Sequence, residues 1–129
     1  MSVNMWREVR WLDHTGSTNS DVAAEARRGE AEGLVVATLD QRAGRGRLDR
    51  SWVAPPGACL AFSLLLQPRP GPSQWGWLSL LAGMAVHAAI SGMAREPQRV
   101  QLKWPNDVLI DGRKVCGILS ERIEHPGGA

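Results

Sequence analysis

The stretch VQLKWPNDVLIDGRKVCGI, residues 100–118, decides the fold because it contains three short apolar runs separated by two turn signals. Asn106-Asp107 marks the first turn. Asp111-Gly112 marks the second, since this dipeptide readily adopts the positive φ angles that a two-residue hairpin loop requires. The pattern therefore predicts three consecutive antiparallel strands joined by tight turns.

Lys103 stands at the end of the first of these strands. Alternation along a strand places Val100, Leu102 and Trp104 on one face and Lys103 on the other. Pro105 restricts Trp104 to extended backbone and ends the strand, so Lys103 projects from a rigid element. A lysine held in this way can act as a fixed positive charge for a reacting group. The alternative is an edge-strand lysine that prevents aggregation.

Upstream of this stretch, strand and helix patterns alternate. The Thr18-Asp21 spacing ahead of an alanine-rich segment predicts a helix with a capping box, ending near Gly29. The mixture predicts an α+β domain built on one mixed, largely antiparallel sheet packed by helices. The predicted elements are a strand at 5–12, the helix from 18 to about 29, buried strands at 33–39 and 58–66, a long polar loop at 40–57 and a helix at about 73–94.

Composition places the chain among soluble globular proteins with a single domain. It has 129 residues, 43% of them hydrophobic and 22% charged, which argues against disorder. Residues 70–94 carry no charged side chain, but they are rich in Ala, Gly and Ser, so a core helix covered on most sides is expected and no membrane span. Cys59 and Cys116 are expected to be small buried hydrophobes in a reducing compartment, and no secretory signal is seen, so a cytoplasmic location is expected.

Residues 42–50, RAGRGRLDR, concentrate positive charge on a flexible backbone. They carry four arginines and one aspartate, whereas the whole chain has 15 basic and 13 acidic residues. The glycine spacing matches neither a Walker A loop nor a dinucleotide fingerprint, because Asp49 stands where the third glycine would be. Guanidinium pairs suit phosphate or carboxylate oxygens. The alternatives are a solvated basic loop or one that grips an RNA backbone.

Short polar side chains cluster in GSTNS, residues 16–20, at a strand-to-helix junction. Their ordinary role is helix capping, and their hydroxyl and amide groups can also bind a polar ligand head. The three histidines have no metal-ligand spacing, and neither GxSxG, HExxH nor CxxC occurs, so zinc and serine-hydrolase chemistry are set aside and no protein metal site is expected.

Together, GSTNS (16–20), DQRAGRGRLDRSW (40–52) and KWPNDVLIDGRKVCGIL (103–119) resemble the catalytic domain of biotin protein ligases of the BirA type. The resemblance runs in order over about residues 13–121. It implies the class II synthetase-like biotin/lipoate ligase fold, with 1–129 as the front part of the catalytic domain. The winged-helix domain and the small C-terminal β domain of such ligases are not matched, so the fold is expected to be incomplete at the C-terminus.

The resemblance implies a two-step enzyme that activates biotin with ATP and Mg²⁺ to biotinyl-5′-AMP and transfers biotin to a lysine of a biotin carboxyl carrier domain. Neither nucleic acid nor membrane is expected as a partner, and a homodimer is considered because a half-sheet leaves an open edge. Implied roles are catalysis by Lys103, Arg45 and Arg47; biotin binding by Ser17, Thr18, Asn19, Gln41, Arg45, Gly46, Arg47, Lys103, Gly117 and Ile118; and ATP binding by Gly44, Arg45, Arg47, Trp52 and Lys103, with Trp52 stacking on adenine.

Two departures from the family pattern leave alternatives open. Asp49 replaces the usual glycine of GRGRxGR and puts a carboxylate beside the arginines. The match also stops near the midpoint of a ligase, so a truncated form with weak or no activity is the second hypothesis. The third is a small nucleic-acid-binding module that uses the arginine loop, with an affinity that falls steeply with salt.

Overall fold

The computed structural model describes residues 5–69, 71–104, 107–124 and 126, apart from the side chains of Asp49 and Pro72. The chain divides into a first unit, residues 5–69 with 121–126, and a second unit, residues 71–120. The elements in order are β1 Glu8–Leu12, α1 Thr18–Arg27, β2 Leu34–Thr38, β3 Gly44–Arg45, β4 Ser51–Trp52, β5 Ala61–Leu64, α2 Leu78–Met93, β6 Val100–Lys103, β7 Asp107–Ile110 and β8 Arg113–Gly117.

The first unit is a three-stranded sheet covered on one face by α1. β2 is the central strand, parallel to β1 and antiparallel to β5, and all five of its residues are buried because it is paired along both edges. β3 and β4 form a separate two-stranded ladder in the long polar loop. The apolar core between α1 and the sheet consists of Val22, Ala26, Leu34, Val36 and Leu65, with Leu12 and Ile123 packed against it.

The start of α1 differs by one residue from the predicted capping box. Ser17 is the N-cap: its backbone is extended and its Oγ accepts a hydrogen bond from the Ser20 amide at 3.2 Å. Thr18 is already helical, and Asp21 accepts from the Thr15 hydroxyl. Serine and threonine both cap well, so the backbone conformation at 17 decides which of the two takes this role.

An ion-pair cluster ties β1 to the far end of α1. Arg7 donates to Glu30 at 2.7 Å, and Arg10 contacts Glu8, Glu25 and Glu30. The hydrogen bond from Arg10 holds the pKa of Glu8 below its usual value, and the hydrogen bond from Arg7 lowers the pKa of Glu30 in the same way. These pairs therefore support folding at neutral pH and are lost as the carboxylates protonate in acid.

The second unit packs α2 on an antiparallel sheet of β6, β7 and β8. The hairpin predicted at Asp111-Gly112 is confirmed: these two residues connect β7 to β8, and their φ angles are 53° and 78°. The three predicted strands are present as β6, β7 and β8. The turn predicted at Asn106, like Pro105, lies outside the described residues.

Four expectations about the sheet, the strands and helices and the cysteines are corrected. The predicted α+β class with mostly antiparallel pairing is confirmed, but the described strands form three sheets instead of one, because the two larger sheets belong to different units. β5 is buried on one face only, since Phe62 and Leu64 are exposed. In α2, the helix expected to be covered on most sides, Gly83 is the one buried residue among those described. Cys59 and Cys116 are free thiols and half-buried instead of fully buried.

The uncharged segment that contains α2 is long enough and apolar enough to cross a membrane, by length and composition alone. Ser73–Met93 has 21 residues and a mean hydropathy of 1.3 in its most apolar window. Core helices of soluble proteins pass the same criterion. Within its own unit the helix packs on the sheet: a Cβ at Gly83 would lie 3.3 Å from Leu102, and the His87 Nε2 atom is 2.9 Å from the Val100 carbonyl oxygen.

Gly33→Ala should destabilise the first unit much more than Gly57→Ala, although both glycines have positive φ angles. Gly33 precedes β2, accepts a hydrogen bond from the Arg7 amide and donates one to the Leu65 carbonyl, and a Cβ there would collide with the Met5 carbonyl oxygen. A Cβ at Gly57 meets nothing within 4 Å. We expect about 1 kcal/mol of lost stability at Gly57 and at least about 2 kcal/mol at Gly33, measured by urea denaturation. Equal losses would contradict the steric role of Gly33.

Candidate ligand-binding site

A short backbone pairing brings two predicted binding segments together. Thr15 forms a parallel bridge with Gln41, its amide donates to the Asp40 carbonyl at 3.1 Å, and its carbonyl accepts from the Arg42 amide at 2.9 Å. The Ala43 amide donates to the Gly16 carbonyl at 2.7 Å. The start of α1 and the beginning of the arginine loop, which are more than twenty residues apart in sequence, therefore form one site in the first unit.

The Gln41 side chain caps the first turn of α1 at this junction. Its Oε1 atom accepts from the Thr18 amide at 2.8 Å and lies 3.2 Å from the Thr18 hydroxyl. The amide of a first-turn residue has no partner within its own helix, so Gln41 satisfies a donor that would otherwise be buried without one. Thr18 is 3% exposed and Ser17 is 7% exposed. Both predicted biotin-binding hydroxyls are therefore buried behind the more accessible amides of Gln41 and Asn19.

Ser63 on β5 completes the polar cluster and is a residue that the sequence analysis missed. Its hydroxyl donates to the Asn19 Oδ1 atom and lies 2.7 Å from the Thr18 hydroxyl. The available signal was a lone serine in the apolar run 58–66. A buried hydroxyl in such a run needs a polar partner.

Gly44 is buried at the base of the arginine loop, where a side chain would not fit. A Cβ at this position would collide with the Trp52 carbonyl oxygen and lie 2.5 Å from the Gln41 Nε2 atom. The glycine therefore allows the Gln41 amide to lie against the β3–β4 ladder. Gly44 therefore has a steric reason to be glycine, and its part in ATP binding stays a prediction.

A shallow, solvent-open depression adjoins this junction, and its enclosed volume of about 10 Å³ is the space of about one water molecule. Gln41 and the half-buried Trp52 contribute to its wall, and its remaining lining is apolar apart from the Cys59 thiol. A depression of this size offers a ligand a wall to lie against but does not enclose one. The lining residues are Leu39, Gln41, Trp52, Ala54, Pro55, Cys59 and Ala61.

The four arginines of the loop have different surroundings. Arg42 pairs with Asp40 at 3.0 Å, and Arg45 forms a two-armed ion pair with Glu121. Arg47 and Arg50 are exposed, and neither has an ion-pair partner among the side chains that the structure describes.

Gly46 precedes the 3₁₀ turn Arg47–Asp49, in which Leu48 has a φ of 57°, a left-handed conformation that is unfavourable for leucine. The Asp49 side chain lies outside the described residues.

The other predicted residues belong to the second unit. Lys103 is exposed at the end of β6, opposite Asp107 in the ladder with β7. Gly117 ends β8, and the half-buried Ile118 lies beside Gly83 of α2. No group of three or more His, Cys, Asp or Glu that could hold a metal ion occurs among the described residues.

Comparison with solved structures identifies the fold. The chain superposes on the biotin protein ligase from Aquifex aeolicus in complex with biotin and ATP with a TM-score of 0.78 at 32% identity, covering 92% of this chain and 48% of that one. It also superposes on the Helicobacter pylori biotin acetyl coenzyme A carboxylase synthetase with a TM-score of 0.71 at 24% identity, which supports the fold alone.

Sequence comparison gives the family. Residues 11–128 match the Biotin/lipoate A/B protein ligase family, and the chain belongs to it. It is 44% identical over 119 residues to a biotin–[acetyl-CoA-carboxylase] ligase of Mycobacterium tuberculosis, covering 90% of this chain and 45% of that protein. It is 34% identical over 118 residues to the bifunctional ligase/repressor BirA of Escherichia coli, covering 92% and 35%. The chain therefore spans less than half the length of these relatives.

Gln41→Leu should destabilise the first unit by about 1–3 kcal/mol, because the buried Thr18 amide would lose its acceptor. Gln41→Glu is the matched control: it keeps an oxygen at the same reach, and a negative charge is favourable at a helix N-terminus. Chemical denaturation of the two variants checks this expectation. A Leu variant as stable as the wild type would show that Gln41 is not needed to satisfy the Thr18 amide.

Proposed function

We propose that this chain carries the biotin- and ATP-binding front part of a biotin–protein ligase. The observation that carries the proposal is the junction of GSTNS with Gln41 and Arg45, because amide, hydroxyl and guanidinium groups meet there. Family membership and the likeness to a ligase crystallised with biotin and ATP support it.

The proposed reaction joins two anions, and the basic residues provide the charge that this step needs. The biotin carboxylate attacks the α-phosphorus of ATP, a carboxylate oxygen–phosphorus bond forms, and the bond to the β-phosphate oxygen breaks to release pyrophosphate. The carrier lysine then attacks the carbonyl carbon, AMP leaves, and the amine loses a proton. Arg45, Arg47 and Lys103 are the proposed cations, since preorganised charges stabilise such transition states by about 3 kcal/mol each.

The proposed binding roles follow from accessibility. Asn19 and Gln41 are half-buried and present amides to the ureido head of biotin, while Ser17 and Thr18 support them from behind. Trp52 offers a ring face for adenine in the same depression that Gln41 lines. Gly46, Gly117 and Ile118 are proposed to offer backbone groups to biotin, and Gly44 to ATP. The described residues do not form a metal cage, so Mg²⁺ is proposed to enter with the phosphates of ATP.

The proposed macromolecular partner is a biotin carboxyl carrier domain, and the proposed location is the cytoplasm. The relatives named above are biotin–[acetyl-CoA-carboxylase] ligase and BirA, which support this substrate class. Self-association into a homodimer is also proposed, because the exposed Val9, Trp11 and Phe62 leave one face of the first sheet uncovered within the described chain.

Isothermal titration calorimetry of the purified chain with biotin, alone and with ATP and Mg²⁺, tests the proposed function. Saturable binding of biotin with one-to-one stoichiometry is expected. A second titration, with duplex DNA or RNA at low and high salt, tests the alternative that the arginine loop binds nucleic acid. Binding of nucleic acid but not of biotin would reject the ligase proposal.

Lys103→Ala should lower pyrophosphate release in the presence of biotin and ATP by about a hundredfold, because it removes one preorganised cation. Lys114→Ala is the matched control, since Lys114 forms an ion pair with Asp107 and has no proposed part in the reaction. Pyrophosphate release is measured at saturating substrates, with circular dichroism as the check of folding. Equal rates in the two variants would remove Lys103 from the catalytic set.

Asp49→Gly should raise the affinity for ATP, because it removes a carboxylate from the arginine-rich turn and restores the glycine usual at this position in the family. The expected gain is about two- to fivefold, in the range of a single exposed charge contact. Leu48→Gly is a control that changes the same turn without changing its charge. If both variants gain equally, backbone flexibility and not the carboxylate limits ATP binding.

A further inference from the structure

The guanidinium of Arg45 is occupied by a carboxylate of the chain itself. Its two terminal nitrogens donate to the two oxygens of Glu121, at 2.9 Å and 3.0 Å. The same guanidinium donates to the Ser20 hydroxyl at 3.1 Å. This two-armed geometry is the one by which an arginine binds the carboxylate or phosphate group of a ligand.

Glu121 also contacts the other predicted binding segment. The Asn19 amide nitrogen donates to its Oε1 atom at 3.1 Å, so one carboxylate bridges the start of α1 and the arginine loop. Glu121 lies 76 residues after Arg45 and belongs to the same unit. The carboxylate thus rests on two residues, Arg45 and Asn19, that are both proposed to bind the substrate.

The pair is exposed enough to open. The Arg45 side chain is 41% exposed and the Glu121 side chain is 31% exposed, so solvent screens their attraction and the contact contributes little to folding. A buried pair would resist separation, since each charge left alone would be poorly solvated. Here a ligand anion can replace Glu121 while water takes up the released carboxylate.

We propose that Glu121 is a built-in anion that holds Arg45 through the two-armed contact and is exchanged for the anionic group of the substrate. The inference rests on the proposed function, because it takes the biotin carboxylate or an ATP phosphate as the incoming anion. The contact holds the guanidinium in place before the substrate arrives. Any incoming anion must displace Glu121, so the contact lowers the affinity of Arg45 for anions by the free energy of the exposed pair.

Calorimetry on Glu121→Gln tests the exchange, with biotin, biotinamide and ATP as separate ligands. The glutamine keeps an oxygen for Asn19 and loses the charge that competes for Arg45. Binding of the incoming anion should become about three- to fivefold tighter, in line with an exposed ion pair. Biotinamide lacks the carboxylate and should bind equally to both proteins. A gain for biotin alone identifies the carboxylate as the exchanging group, and a gain for ATP alone identifies the phosphates.

Two further variants sharpen the result. Glu124→Gln removes the same charge three residues later, at an exposed position, and should leave all three affinities unchanged. Glu121→Asp shortens the side chain by one methylene, weakens the fork and should give an intermediate gain. Thermal unfolding of each variant verifies the fold. If Glu121→Gln does not fold, the affinities of Glu121→Asp for the same three ligands decide the question.

The outcomes separate the two proposals. If biotin or ATP binds but Glu121→Gln leaves its affinity unchanged, the exchange is wrong and the proposed function stands. Weaker binding of biotin and biotinamide alike would show that Glu121 positions Asn19 and Arg45, which also rejects the exchange. Failure of every variant to bind biotin and ATP would overturn the proposed function, and the exchange with it.

Discussion

The pairing of Thr15 with Gln41 is the contact on which the site of the first unit depends. It fixes the long polar loop against the strand-to-helix junction through backbone hydrogen bonds, so the position of the loop does not rely on its exposed side chains. Gln41 can then accept from the Thr18 amide, and Gly44 leaves room for it. The first turn of α1, whose amides need acceptors, is thereby tied to the segment that carries the four loop arginines.

The composition of the arginine loop suggests four equivalent positive charges, but two of the four arginines pair with carboxylates. Arg42 and Arg45 are each neutralised by an acidic partner, whereas Arg47 and Arg50 extend from an exposed turn. The first pair stabilises the base of the loop. The second connects the loop to residue 121, which returns to the first unit after the chain has formed the second. The loop therefore has a base whose arginines are paired and a tip whose arginines are exposed.

Much of the fold could be predicted because it depends on local patterns. Alternating apolar residues, the Asp111-Gly112 turn and the alanine-rich helix all place their elements within a few residues of the observed bounds. The extent of burial was predicted less well. The uncharged segment of α2 indicates a covered helix, yet its burial depends on which surfaces meet it, and Gly83 is its one buried residue among those described. Similarly, Phe62 and Leu64 follow the pattern of a buried strand but lie on the uncovered face of their sheet.

The sequence by itself determined the order of the larger elements, the Asp111-Gly112 turn and the motifs that indicate the ligase family, because each of these depends on residues close together in the chain. The β3–β4 ladder inside the predicted polar loop was not foreseen. Only the tertiary structure decided that Ser17 caps α1, that Ser63 joins Thr18 and Asn19, and that Glu121 binds Arg45. These contacts depend on backbone conformation at one residue or on side chains more than forty positions apart. No local pattern records such a separation, because the contact forms only when tertiary folding brings distant segments together.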